Sequence, residues 1–217
     1  MTLTERLLNV TLLGAEWVLW LLIFLSVVSI ALMIERLVYL RRTEVDPERL
    51  LRDLRNLLAE GDLAGARERV GLHEGALAGD ILAAGLAKYG QGPAAVSEAM
   101  IGAKTRGRLR LRRNLSFLGT LGSNAPFIGL FGTVLGVIKA FHDLAAKKGQ
   151  GPEAVMGSLS EALIATAVGL LVAIPAVIAF NYFQGRVRTR VAEADALSHD
   201  LLSDLANSAR SGGAEAE

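Results

Sequence analysis

Three segments of the chain are long and apolar enough to cross a lipid bilayer. A spanning helix needs roughly 20 mostly apolar residues, and the segments 17–38, 115–141 and 156–183 reach that length with few charges. The first segment runs directly into charged residues and no small-residue cleavage site follows it, so we interpret it as an uncleaved span rather than a signal peptide. The pattern therefore predicts a polytopic membrane protein with three transmembrane helices.

Between the first two spans, residues 39–114 have the pattern of helices that face water on one side. Asp46 followed by Pro47 predicts a helix start, and Gly61 predicts its end. Within that helix the leucines recur at helical spacing, at Leu50, Leu54, Leu57 and Leu58.

Two further stretches of the chain also favour helix. A second loop helix is predicted over about 77–89, and a third is predicted to start near Pro93 and to run without a break into the second span. The segment 184–217 after the third span predicts an amphipathic helix followed by a tail. Because no strand-like alternation occurs, the predicted fold class is all-α, with long helical extensions of the spans.

Composition agrees with a membrane part joined to a water-facing part. The 217 residues are 52% hydrophobic and 21% charged, which is too apolar for most soluble domains and too charged for spans alone. A net charge of +1 gives no reason to expect nucleic-acid binding. The chain lacks cysteine, and its three histidines are in no ligand spacing. We therefore expect no cofactor and no metal, and without a nucleophile–base pair we expect no enzyme.

The distribution of basic residues predicts how the spans are oriented. Lys and Arg favour the cytoplasmic side of a membrane, and they are concentrated after span one, before span two and after span three. We therefore predict that residues 1–16 and 142–155 are periplasmic and that 39–114 and 184–217 are cytoplasmic. The arginines in 106–113 have no interleaved aromatic residues, which is typical of a membrane flank rather than a nucleic-acid site.

Small residues line one face of each of the last two spans. At four-residue spacing such residues let helix backbones approach closely inside a membrane. Packing within one chain is one explanation, but we favour contact with another subunit or with a partner's helix. The residues concerned are Gly129, Gly132 and Gly136 in span two, and Ala162, Ala165, Gly169 and Ala173 in span three. Pro126 and Pro175 are predicted to kink these spans.

One carboxylate, Glu161, falls within the third span. At about 100° per residue, the small face of this span is bracketed by Glu161 and Thr166. A carboxylate in lipid is costly, so it is expected to face water or a neighbouring helix. Alternatively, Ser158-x-x-Glu161 is a capping box at the interface, whereas a helix start at 151–153 would place Glu161 inside the helix. In span two, Thr133 lies deep in the apolar run, where a lone threonine commonly bonds its own helix.

The segments 124–141 and 158–183 resemble the two signature spans of the ExbB/TolQ/MotA proton-channel family, most closely its ExbB/TolQ branch. The resemblance implies a homopentamer in the bacterial inner membrane, with a central pore that holds a dimer of a single-span ExbD/TolR-like partner. It also implies that H⁺ is the transported ion, that Thr133 and Thr166 are pore threonines, and that Glu161 is the pore glutamate. The proton-accepting aspartate would belong to the partner.

From this resemblance we expect the proton-conducting subunit of a motor that converts proton motive force into mechanical work. Energy-transducing proteins of the TonB, TolA or gliding type are the implied downstream partners, and the sequence does not distinguish among them. A MotA-like flagellar stator and a non-conducting membrane scaffold are the alternatives. H⁺ or Na⁺ as the ion, and proton relay or electrostatic tuning as the role of Glu161, also stay open.

Overall fold

The computed structural model describes residues 14–146 and 153–214, and throughout these ranges the regular structure is helical, with no strand. The all-α fold class is confirmed. The described helices are α1 (Glu16–Arg42), α2 (Pro47–Ala59), α3 (Leu63–Gly71), α4 (Leu77–Ala87), a 3₁₀ turn (Tyr89–Gln91), α5 (Pro93–Arg112), α6 (Leu115–Ala146) and α7 (Glu153–Ala214).

The chain divides into two units. The first, which we call the span unit, comprises the described residues up to Glu35 and those between Asn114 and Tyr182. The second, which we call the loop unit, comprises Arg36–Arg113 and the described residues from Phe183 onward. Helices α1 and α7 contribute residues to both units.

The span unit contains the apolar parts of α1, α6 and α7, and the three helices are long and apolar enough to cross a membrane. The prediction of three membrane-capable helices is thus confirmed. Large apolar side chains remain exposed, as at Trp20 (71%) and Leu171 (71%). Such exposure is expected of surfaces that lie against lipid. The helices share a buried cluster, formed by Val18, Leu22, Leu121, Ala125, Leu135, Val172, Ala173 and Ala176.

The loop unit has a core of the kind found in soluble helical proteins. Leu50 and Leu54 of the predicted amphipathic pattern are buried, while Leu57 and Leu58 are half-buried. Each helix of this unit buries one apolar stripe. The other core residues include Leu51, Val70, Ile81, Leu82, Leu86, Val96, Met100, Val187, Ala194 and Leu197.

The predicted ends of the first loop helix are confirmed. The Asp46 carboxylate accepts a hydrogen bond of 3.1 Å from the backbone N–H of Arg49, and Pro47 is the first helical residue. Both features are favoured at helix N-termini. Helix α2 is followed by Gly61 with φ +77°, a backbone conformation that glycine adopts without a Cβ penalty.

The prediction of an unbroken helix into the second span is wrong. Helix α5 ends at Arg112, and α6 begins only at Leu115. Between them Asn114 has φ +61°. Asparagine tolerates this left-handed conformation better than most residues do, so it can end one helix and redirect the chain into the next.

The start of α7 decides between the two explanations for Glu161. The helix begins at Glu153, so Ser158 is already inside it and cannot be its N-cap. The capping-box alternative is therefore wrong, and Glu161 lies in the helix interior. The predicted periplasmic segments 1–16 and 142–155 are covered only in part, because residues 1–13 and 147–152 lie outside the described residues, as do 215–217 of the predicted tail.

Both prolines of the spans lie inside helices that continue on either side of them. Proline has no backbone N–H, so Pro126 leaves the carbonyl of Gly122 without its helical donor, and Pro175 does the same to Leu171. The kinks expected at these positions stay predictions.

Candidate functional site

Helices α6 and α7 lie so close together that their backbones are in contact. A Cβ atom added to Gly129 would lie 2.7 Å from the backbone oxygen of Ala165, and one added to Gly169 would lie 2.7 Å from that of Ala125. No side chain fits at such distances without moving a backbone. Glycine at both positions is therefore what allows the two helices to come this close.

The close contact continues toward the end of α6. A Cβ atom on Gly132 would lie 2.7 Å from the Cβ of Ala165, and one on Gly136 would lie 3.1 Å from the Cα of Ala162. The alanines on α7 are at most 4% exposed. We call this contact the small-residue seam, and it comprises Gly129, Gly132, Gly136, Ala162, Ala165, Gly169 and Ala173.

The seam supports the alternative explanation that the sequence left open for the small residues, which is packing within one chain. We expected these small residues to contact another subunit or a partner's helix, with packing inside one chain as the less favoured alternative. The chain's own α6 and α7 fill this face. Within the single chain, the seam residues of α6 and α7 are thus covered by each other.

Helix α1 packs along one side of the seam. A Cβ atom on Gly132 would lie 3.2 Å from Cγ1 of Val18, and Val172 shares a buried cluster with Val18 and Leu22. At about 100° per residue, Thr133 on α6 and Thr166 on α7 both project to the opposite side of the seam, away from α1. The helix geometry thus places the two predicted pore threonines on the same side of the seam, which we call the threonine groove.

The hydroxyl groups of these two threonines are used differently. The Thr133 hydroxyl donates a hydrogen bond of 2.6 Å to the backbone oxygen of Leu130, which is the structural use expected of a lone helical threonine. The Thr166 hydroxyl oxygen is buried and has no hydrogen-bond partner among the described residues. Since buried polar groups are normally satisfied, the unpaired Thr166 hydroxyl is an exception among the described residues of the spans.

Glu161 projects to the other side of the seam. It is half-buried, and at about 100° per residue it lies roughly 140° from Thr166, on the flank of α7 that faces α1. No side chain of the described residues pairs with its carboxylate. The structure therefore does not group Glu161 with the two threonines within one chain, and it places the carboxylate about 7.5 Å from Thr166 along the helix axis.

Three polar residues, to which sequence reasoning gave no role in the site, lie at the end of the seam nearest Glu161. The Ser158 hydroxyl donates a hydrogen bond of 3.2 Å to Oδ2 of Asp143, and Nδ1 of His142 is 4.0 Å from Oδ1 of the same carboxylate. The spacing of Asp143 could have indicated its position, because it follows Gly136 by seven residues and so lies on the same face of α6.

No metal site is evident in the part of the chain that the structure describes. Its His, Asp and Glu side chains form no group of three that could hold an ion. The polar groups near the seam are instead single carboxylates and hydroxyls. These can accept, hold or pass a proton, or hydrogen-bond to water and to another chain.

A family model matches more than half of the chain. The family is described as the MotA/TolQ/ExbB proton channel family, and the match covers residues 73–196. The matched region includes the whole of α6, the seam, and all three of Thr133, Glu161 and Thr166.

Individual relatives agree with the family match. The chain is 42% identical over 115 residues to the biopolymer transport protein ExbB of Xanthomonas campestris, covering 53% of this chain and 46% of the relative. It is 47% identical over 91 residues to the Tol-Pal system protein TolQ of Pseudomonas aeruginosa, covering 42% and 39%. A putative ExbB-like protein 2 of Helicobacter pylori is 43% identical over 93 residues, covering 43% and 62%. The chain thus spans about half the length of the curated relatives it matches.

Proposed function

The chain belongs to the MotA/TolQ/ExbB proton channel family, and on that premise we propose that it is the proton-conducting subunit of a bacterial inner-membrane motor. With a single-span ExbD/TolR-like partner, it converts proton motive force into mechanical work on periplasmic or outer-membrane machinery. The family is one of channels rather than of enzymes. Relatives named ExbB and TolQ support this branch of the family.

One observation carries the proposal: Glu161 lies inside a membrane-capable helix and has no partner among the described residues. A charged side chain inside a bilayer costs at least about 2.5 kcal/mol unless water or another group satisfies it. Lipid cannot satisfy a carboxylate. An assembly that surrounds a wet interior can, and ionisable residues in such places commonly mark ion pathways.

The seam separates Glu161, on one side, from Thr133 and Thr166 on the other, and this arrangement suggests a path for the proton. In our proposal protons reach the assembly near Glu161 and then meet the threonine groove. There the Thr166 hydroxyl, which is buried and unpaired in the single chain, hydrogen-bonds to water or to the partner's carboxylate once the contact around it opens locally in the assembly. Each elementary charge that crosses 100 mV releases about 2.3 kcal/mol, which is the energy available for mechanical work.

The proposed assembly is a homopentamer whose pore holds two partner helices. The N-terminus faces the periplasm and the C-terminus the cytoplasm, as the basic flanks predict. Because the seam already joins α6 to α7 inside each chain, subunits contact one another, the partner or lipid through the exposed faces of the spans. These carry large apolar side chains such as Phe127, Leu130 and Leu163.

The test is to co-express Glu161→Gln with an ExbD/TolR-like protein of the same bacterium and to measure proton uptake in membrane vesicles. We expect partner-dependent uptake to be lost while the complex still assembles, because glutamine keeps the shape and removes the titratable group. The matched control is Glu98→Gln, an exposed acid on α5. Uptake that survives in Glu161→Gln would show that Glu161 is not the carboxylate of the pathway, and absence of partner-dependent uptake in the native protein would favour the non-conducting scaffold.

A further inference from the structure

Lys139 is a basic residue in the span unit that the proposed pathway does not yet use. It lies on α6 seven residues after Gly132, and so on nearly the same face of the helix. A Cβ atom on Gly14 would lie 2.9 Å from Cδ and 3.0 Å from Nζ of Lys139. The lysine side chain therefore lies half-buried against the residues that precede α1, where Gly14 and Ala15 are both buried.

Glu161 occupies the corresponding flank of α7. It precedes Val168 by seven residues and Val172 by eleven, so the three share one face of the helix. Both valines pack on the cluster that contains Val18 and Leu22 of α1. Lys139 and Glu161 thus approach the same groove, the one that α1 covers, from its two walls.

The seam also fixes the height of the two residues along this groove. Gly136 lies opposite Ala162, since a Cβ atom on the glycine would be 3.1 Å from the Cα of the alanine. Counting outward from this pair in the antiparallel helices places Lys139 and Glu161 about two residues, or roughly 3 Å, apart along the axes. Two long side chains of opposite charge therefore lie at nearly the same height on the α1 side of the seam, without an ion pair between them in the structure.

Other charged groups lie near this end. From α6 these are His142 and Asp143, and the Asp143 carboxylate already accepts a hydrogen bond from Ser158 of α7. From α1 the nearest charged residue is Glu16, which is exposed. In the described part of the chain neither Lys139 nor Glu161 has an ion-pair partner. Each would thus lower the cost of burying the other's charge within the membrane.

We propose that Lys139 is a positioning residue for Glu161: its ammonium group pairs with the ionised carboxylate at the end of the groove and moves back against Gly14 when the carboxylate takes up a proton. This inference rests on the proposed proton pathway, because it assigns a partner to the carboxylate of that pathway. The Lys139–Glu161 ion pair therefore forms when Glu161 is ionised and separates when Glu161 is protonated.

The pair is tested directly by carbodiimide coupling, which joins a lysine amine to a carboxylate in contact with it and releases the activating group as a urea. Applied to the native complex in membranes, it should yield an amide between Lys139 and Glu161 of one chain, identified by mass spectrometry of the digested protein. Coupling of Lys139 to Asp143 or Glu16 in place of Glu161, or no coupling of Lys139 at all, would overturn the proposal.

A second experiment measures the proton uptake of Lys139→Gln and Lys139→Arg in the vesicle assay. The matched control is Lys88→Gln, because Lys88 is exposed. We expect the glutamine variant to lower partner-dependent uptake by about fivefold or more, the usual lower range for coupled sites. The arginine variant, which keeps the charge, should retain most uptake. Native uptake in Lys139→Gln overturns this inference alone, whereas absence of partner-dependent uptake in the native protein overturns the proposed function itself.

Discussion

The span unit and the loop unit are both helical, yet different contacts hold them together. In the span unit α6 and α7 touch through glycine and alanine, as at Gly129 and Ala165, and large apolar side chains point outward. In the loop unit the leucines point inward, and ion pairs join residues distant in sequence, such as Lys104 with Asp195 at 2.6 Å. The two units thus use different kinds of residue where their helices touch: small ones in the span unit and leucines in the loop unit.

The solvent explains this difference. Lipid tails are as apolar as leucine, so burying a leucine between two spans gains little, and close backbone contact through small residues must hold the helices together. In water, burial of apolar area drives packing, and charged residues remain at the surface where they can pair. The same chain therefore needs glycine at the interfaces of one unit and leucine at those of the other.

The largest expected effect comes from filling the seam. Gly129→Leu must push α6 and α7 apart, because even a Cβ atom there meets the Ala165 backbone. We expect a loss of stability of about 3 kcal/mol or more, seen as failure of the purified complex to elute as one assembled species in size-exclusion chromatography. The matched control is Gly157→Leu, since Gly157 lies in α7 with no neighbour within 4 Å of an added Cβ. Equal behaviour of the two variants would show that the seam does not hold the span unit together.

The second-largest loss of stability is expected from creating a cavity in the core of the loop unit. Leu54 is fully buried in α2, so Leu54→Ala is expected to cost about 2–5 kcal/mol. The control is Leu72→Ala, because the Leu72 residue is 70% exposed. Thermal unfolding in detergent measures both variants, and each 1 kcal/mol corresponds to roughly 2–4 °C in a protein of this size. If Leu72→Ala matched Leu54→Ala, burial would not be what stabilises this unit.

A smaller effect is expected at the arginine that ties α7 to the end of α1 within the loop unit. The Arg190 guanidinium donates to the backbone oxygens of Leu40 and Thr43 and, at 2.8 Å, to the Thr43 hydroxyl. Arg190→Gln should cost about 1–3 kcal/mol by leaving these acceptors unpaired, measured as a lower unfolding midpoint in the same detergent. Arg188→Gln, at an exposed arginine two residues earlier, should leave the midpoint nearly unchanged.

The sequence was most informative where a single local rule decides the outcome. Runs of apolar residues identified the spans, and Asp46 with Pro47 located a helix start, because both signals are contained in the segment itself. Asn114 was missed because the helical pattern continues on both sides of it, and only its backbone conformation breaks the helix.

The site was harder to predict, because spacing identifies a face but not what covers it. The small residues of α6 and α7 lie at a contact within the chain, whereas their contact with another chain stays a prediction. Lys139 and Asp143 stand near the end of an apolar run, where charged residues are usually membrane flanks. Their proximity to Glu161 depends on the register of two helices, which the seam fixes and no single segment contains.

The smallest effect is expected at Asp53, whose half-exposed carboxylate pairs with Arg69 in the loop unit. The Arg69 guanidinium donates two hydrogen bonds, of 2.6 and 3.0 Å, to one oxygen of this carboxylate. The hydrogen bonds and charge of Arg69 lower the pKa of Asp53 below the usual 3.8, with smaller contributions from Arg49 and Arg52. Because the folded state favours the ionised form, this stabilisation is present above about pH 3.8 and is lost as the pH falls through the lower pKa of the folded protein.

Asp53→Asn should therefore lower the unfolding midpoint slightly at neutral pH and progressively less as the pH falls below 3.8. Thermal unfolding of both proteins in detergent over that range measures the difference. Solvent partly screens this half-exposed pair, so the effect should stay below that of Arg190→Gln at every pH. A loss as large as that of Arg190→Gln would mean that ion pairs, rather than leucine burial, supply much of the stability of the loop unit, and the contrast between the two units would then lie in charge rather than in side-chain size.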